Sequence, residues 1–180
     1  MYAFLREKSL ALRPPFFLTY LITFSCYGSH LHGDERGSID PKHNQPGSPV
    51  RPGEPALQRF ERQSMRNPPY LLDSPRREIV LRAILGVCEH RGWTLHAAHV
   101  RTNHVHIVVD ASRSTEEVTH DFKAYASRML NQLALDPPER SRWTRHASMR
   151  KLADETALER ALRYVADSQS EVMALYVRAP

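Results

Sequence analysis

Arg101-Thr102-Asn103-His104-Val105-His106-Ile107-Val108-Val109-Asp110 is the stretch on which the fold turns. β-Branched residues run through its second half at period two, the pattern of a strand. His104 and His106 therefore point to one face, and Val105, Ile107 and Val109 to the other. One face is fitted to a core and the other to chemistry. Two imidazoles at i and i+2 share one surface of a strand, and neutral imidazole is the commonest protein ligand for a divalent transition metal. The pair reads either as half of a metal site or as two histidines on a solvated sheet face. With 10 histidines in the chain, so short a motif does not separate the two by itself.

The neighbouring segments supply the frame. Trp93 to Val100 reads as a second strand, joined to the histidine strand by the short Arg101-Thr102-Asn103 connection as an antiparallel hairpin. Before it, Ser74-Pro75 opens a helix with proline at its first position, Ile79, Val80, Ala83, Ile84, Val87 and Cys88 share one face, and Gly92 ends it. Phe16 to Phe24, apolar on both faces, is a central strand. A short helix over 56–66 is stopped by Asn67-Pro68-Pro69. On the other side, Ser114 and Glu117 make a capping box opening a helix with the stripe Val118, Phe122, Tyr125, Met129 and Leu133. Asp136-Pro137-Pro138 stops it, Arg142 to Arg150 is a last strand, and Thr156 with Glu159 caps a final helix to about Gln169. The order strand, helix, strand, strand, helix, strand, helix predicts an α+β, ferredoxin-like antiparallel sheet with helices packed on it. We expect one domain over 16–176, a loosely ordered lead-in at 1–15 and a tail at 177–180. The long polar loop at 33–55 reads as functional or disordered, and it is basic enough to touch nucleic acid.

Composition bounds the class. A chain of 180 residues with 41% hydrophobic and 25% charged residues suits one ordinary soluble core. A net charge of +5 from 25 Lys and Arg against 20 Asp and Glu favours a phosphate-bearing partner. Cys26 and Cys88, far apart and in apolar surroundings, read as buried free thiols and point to a reducing, cytoplasmic address. The apolar run Phe16 to Phe24 falls far short of the roughly 20 residues of a spanning helix, and it is not preceded by a convincing cleavable signal.

Asn103-His104-Val105-His106 comes after Arg91-Gly92-Trp93 and is followed by Phe122-Lys123 and then by Tyr164-Val165 on a late helix. Together these resemble the HUH single-strand transposases, in particular the REP-associated tyrosine transposases and their insertion-sequence relatives. Leu31 to Ser38 is similar to the segment after the first strand in that branch. The likeness covers most of residues 16–176. Each motif is weak alone; their order is specific.

The resemblance implies a DNA nuclease and strand transferase acting on single-stranded DNA beside a hairpin. The two histidines and a third ligand from the last helix would hold one Mg or Mn ion on the scissile phosphate. A tyrosine would attack and remain on the 5′-phosphate, and its phenolate is a good enough leaving group to permit rejoining. A phenol, with its ordinary pKa near 10, needs help to attack. Insertion-sequence members work as dimers that exchange tyrosine helices, whereas REP-associated members can act as monomers, so a homodimer is one of two expected arrangements. A DNA-binding relative without catalysis and a metal-dependent phosphodiesterase using water are the competing readings.

Helical phase chooses the tyrosine. Tyr125 falls inside the stripe of its helix, whereas Tyr164 points roughly 130° from the centre of the Leu158, Leu162, Val165 stripe. We take Tyr164 as the nucleophile. The third ligand departs from the family pattern, which places glutamine four residues after the tyrosine. Here that position is Ser168, about 40° round from Tyr164, while Gln169 lies about 140° round. Gln169 is the expected ligand, because its amide oxygen suits Mg or Mn and its length can reach from a neighbouring stripe. Lys123 matches a family lysine and reads either as a point charge for a DNA phosphate or as an ordinary exposed helix lysine. Arg142, Trp143 and Arg145 mix guanidinium with an aromatic, a combination that suits single-stranded DNA because bases stack and phosphates pair, although Trp143 reads equally as core. The histidines at 30, 32, 96, 99 and 146 read as structural or solvent-facing.

Overall fold

The computed structural model describes residues 17–29, 31, 53–167 and 171–179. The expectations for the lead-in at 1–15, for nearly all of the loop at 33–55 and for Leu31–Ser38 beyond Leu31 lie outside the described residues, as do His30 and His32.

Five strands form one sheet: β1 (Leu18–Cys26), β2 (Thr94–Val100), β3 (His104–Ala111), β4 (Trp143–Leu152) and β5 (Ala174–Val177). Their order is β4-β1-β3-β2-β5, every neighbouring pair antiparallel. The first four strands with α2 (Ser74–Arg91) and α3 (Thr115–Gln132) make the expected ferredoxin-like βαββαβ unit. Two helices complete the fold, α1 (Pro55–Ser64) and α4 (Glu155–Ala166). β5 escaped the sequence reading: four residues at an edge are too few to show a period.

Alternation along the central strands divides the core. Ile22, Phe24, Val105, Ile107 and Val109 are buried with α2 and α3, so the apolar face of the hairpin is the main core, as its pattern predicts. The opposite face carries the smaller cluster of Ala97, Val108, Leu152, Leu158, Ala161 and Val165, covered by α4. His104 and His106 belong to that second face. It is a half-covered face rather than an open one.

Caps follow chemistry with small shifts. The Ser114–Glu117 capping box forms as read. Asp73, one residue before Ser74, caps α2 by accepting from the Arg76 N–H at 3.0 Å. Gly92 closes that helix at φ 66°, where a side chain would be strained. Asp154, not Thr156, caps α4 by accepting from the Ala157 N–H at 2.8 Å. The stripe of α3 is rotated from the expected one: Val118, Phe122, Ala126 and Leu130 are buried, whereas Tyr125 and Met129 are partly covered and Leu133 is exposed. Cys26 and Cys88 are buried free thiols, and burial pushes each up to about 12.

A polar knot holds the 135–142 turn to the domain. Asp136 accepts from the Tyr70 hydroxyl at 2.5 Å, from Arg76 Nη2 at 2.9 Å and from Arg142 Nε at 3.2 Å. Burial alone would raise its carboxyl, but these donors outweigh burial and hold it below the ordinary range. Burial and the Asp136 carboxylate push Tyr70 up to about 12. Asp136→Asn should destabilise by about 3 kcal/mol in urea unfolding at neutral pH, because it strips the anion from the buried Arg142 guanidinium and the half-buried Arg76. As its folded pKa is depressed, the stability from Asp136 is present above the ordinary carboxylate pKa and lost as pH falls through the folded one. The gap between wild type and variant should therefore close in acid.

Candidate functional site

β3 presents His104 and His106 one pleat apart, their ring centroids separated by 4.7 Å. Each has a partner on Nδ1. His104 Nδ1 lies 2.7 Å from Asn103 Oδ1, and since that oxygen only accepts, the ring hydrogen sits on Nδ1. His106 Nδ1 lies 2.8 Å from the Thr23 hydroxyl of the paired strand β1. Histidines that bind metals usually donate their other ring N–H to such a partner, which aims the remaining lone pair.

His106 is buried, with 3% of its surface exposed, and among the described residues its Nε2 meets no hydrogen-bond partner. An orphaned buried ring nitrogen is costly unless something else binds it. Burial first, then the nearness of His104, His99 and Arg101, drives the His106 pKa down to about 3. The ring is therefore neutral, the form that coordinates a metal. On the chemistry of these donors the pair fits a divalent cation. No cluster of three or more His, Cys, Asp or Glu residues is present among the described residues, so a further ligand would have to be of another type.

α4 brings a tyrosine to the same place. Leu158, Ala161 and Val165 turn inward, while Tyr164 lies off that stripe, 43% exposed, with its ring centroid 5.1 Å from that of His106. Helical phase placed Tyr164 correctly off the core. Tyr125 belongs to α3 across the sheet, beside His90 at 6.1 Å and Arg128 at 5.0 Å.

His99 is the residue that sequence reasoning missed. It pairs directly across from His106 and is fully buried. Its Nδ1 donates to the Val165 carbonyl at 3.0 Å, and its Nε2 accepts from the Met173 N–H at 3.1 Å. Both nitrogens are spent on backbone, so His99 is no metal ligand despite its position. It fixes the turn of α4 that carries Tyr164 and the start of β5. Arg101 adds a bond to the Glu171 carbonyl at 2.8 Å. A register argument could have found His99, since it lies opposite His106 once the hairpin is paired about Arg101–Asn103.

Gln169, and Ser168 against which it is weighed, lie outside the described residues. Three of the four expected DNA contacts need correction or relocation. Arg142 is buried, bonded to Asp136 and, at 2.7 Å, to Asn131 Oδ1, so its guanidinium is committed inside the fold. Trp143 donates to Ser127 Oγ at 2.9 Å and stacks edge-on against Phe24 at 5.2 Å, which makes it a core residue. Lys123 donates to the Thr144 carbonyl at 2.9 Å and sits over the Phe24 ring, on the sheet face opposite the histidines. Only Arg145 remains exposed.

Fold and site together define an α+β protein with a histidine pair on a central strand and a tyrosine helix laid across it. The family model described as "Transposase IS200 like" matches residues 67–168, more than half of the chain, and the chain belongs to that family. A REP-associated tyrosine transposase bound to a REP hairpin is similar in structure, with a TM-score of 0.46 at 9% identity, over 85% of this chain and 68% of its own. A Deinococcus radiodurans protein described as a transposase gives a TM-score of 0.47 at 11% identity, over 87% of this chain and 94% of its own. The family assignment rests on the match over 67–168, not on these two likenesses. No curated protein matches the chain. No helix among the described residues is long and apolar enough to cross a membrane.

The two histidines should differ in structural cost. Burial gives His106 a packing cost that a solvated strand position would not carry. In excess chelator, His106→Ala should lose about 1–3 kcal/mol by stranding the Thr23 hydroxyl and opening a void, while His104→Ala should lose less than about 1 kcal/mol. Thermal melts of both variants check the order.

Proposed function

We propose that the chain cleaves and rejoins single-stranded DNA beside a hairpin, through a covalent 5′-phosphotyrosine at Tyr164. The observation that carries this is the packing of the off-core Tyr164 ring against His106, the buried histidine whose Nε2 is orphaned among the described residues. A transposase of this family needs a nucleophile and an anion-gripping centre on one surface. Here α4 lays Tyr164 on the same surface as His106.

In the proposed reaction the Tyr164 oxygen attacks phosphorus in line, the bond to the 3′-oxygen breaks, and the proton lost by the phenol is balanced by one gained at the departing 3′-oxygen. The products are Tyr164 esterified to the 5′-phosphate and a free 3′-OH. Rejoining reverses each bond: a 3′-OH attacks and the phenolate leaves, so the diester is conserved. His104, His106 and Gln169 would hold Mg or Mn, which when bound withdraws charge from the phosphoryl oxygens. Asn103 and Thr23 orient the rings, and His99 holds the tyrosine helix at its height above them.

Incubation with labelled hairpin DNA and Mn, followed by denaturing electrophoresis, tests the reading. Wild type should give a protein-linked product that chelator abolishes. Tyr164→Phe should fold and bind yet give none, and Tyr125→Phe should retain the product. Free fragments without a linked species would indicate hydrolysis by water, and binding without cleavage a non-catalytic relative. Metal titration separates the third-ligand candidates: Gln169→Ala should weaken Mn binding severalfold or more, and Ser168→Ala should leave it unchanged.

A further inference from the structure

Beside Tyr164, a cleft of about 410 Å³ lies between α4 and the neighbouring strands β1 and β4. That volume lies within the roughly 300–1,000 Å³ of small-ligand sites. Its floor is apolar, with Leu21 and Leu152 from the sheet and Ala157 and Ala161 from the helix. Its rim is cationic, with Arg150 from β4 and Arg160 from α4, and Tyr164 closes one end. The register explains the convergence: Arg150 pairs with Leu21, and Ser148 pairs with Thr23, which pairs in turn with His106. One row of cross-strand partners thus runs from the histidine pair into the cleft.

The two arginines are uncommitted in a way that Arg142 is not. Both are exposed, neither makes an ion pair with a described residue, and no carboxylate is among the described residues that line the cleft. Arg160 Nε donates to the Thr156 carbonyl at 3.2 Å, which steadies its stem on the helix. An apolar slot rimmed by two guanidinium groups matches a single-stranded nucleotide, whose base can pack on an apolar wall and whose phosphate pairs with arginine.

We infer that this cleft seats the nucleotide adjoining the scissile phosphate, its base between the sheet and α4 and its phosphate on Arg150 and Arg160. The inference deepens the proposed reaction and rests on it, because it supplies the grip on the strand next to Tyr164. It replaces Arg142, Trp143 and Lys123 as the main single-strand contact and moves that contact to the histidine face of the sheet.

Binding in chelator tests the cleft without requiring the reaction. Fluorescence anisotropy of a labelled oligothymidylate of about 20 residues should show the Arg150→Gln, Arg160→Gln double variant weakened about tenfold, with the salt slope reduced by roughly 0.7 per guanidinium removed. Arg82→Gln, an equally exposed charge on α2 across the sheet, should stay within about twofold of wild type. Ala157→Phe, which fills the slot without changing charge, should weaken the single strand and leave a duplex of equal length unaffected. The inference is overturned if the double variant binds as wild type, if Arg82→Gln costs as much, or if duplex and single strand lose equally. A missing tyrosine adduct with these arginine effects intact would instead count against the proposed chemistry alone.

Discussion

A buried imidazole ties two parts of the chain that meet above the histidine pair. His99 gives its Nδ1 hydrogen to the last turn of α4 and takes the N–H of Met173 on its Nε2, with none of the ring exposed. Such a ring must stay neutral, and burial lowers its pKa in keeping with that. The height and phase of α4 over the sheet depend on this contact, and so does the distance between Tyr164 and His106. Remove it and the second face of the sheet keeps its small apolar cluster but loses the tie that aligns the tyrosine helix. The charge and shape of the neighbouring cleft depend on the same helix, because Arg160, Ala157 and Ala161 ride on it.

Much of this was legible in the sequence, for reasons visible in particular residues. Period two in Val105, Ile107 and Val109 named both the strand and its core face, and the capping box at Ser114 and Glu117 placed a helix start to the residue. Gly92 marked a helix end because only a left-handed residue closes it there. Tyr164 could be set off the core because α4 is strongly amphipathic. The signal failed where structure depends on contacts distant in sequence. The four residues of β5 have no period long enough to read, and the role of His99 exists only once β2 and β3 are paired and α4 is packed on them.

Charge was the least readable property. An arginine or lysine beside an aromatic looks the same in sequence whether it faces DNA or an internal carboxylate. Arg142 finds Asp136, Lys123 finds the carbonyls that open β4, and Trp143 finds Phe24. Phe24 is remote from Trp143 in sequence, and although Asp136 precedes Arg142 by only six residues, nothing in the local composition shows that the turn between them folds the guanidinium inward. Arg150 and Arg160 drew no notice from sequence because nothing beside them in the chain suggests a site. Only the folding of α4 onto the sheet face beside β4 brings them to one rim. A buried, partnered guanidinium stabilises the fold, whereas an exposed and uncommitted one is available for phosphate.

The central claim is that the histidine pair and Tyr164 serve one site. The most direct measurement is peptide mapping by mass spectrometry of the protein after reaction with hairpin DNA and Mn, with nuclease trimming of the attached strand. The account predicts a single modified peptide, with a nucleotide 5′-phosphate on Tyr164 that is lost in His106→Ala. Modification at Tyr125 or any other residue, or a Tyr164 adduct that persists without His106, would contradict it.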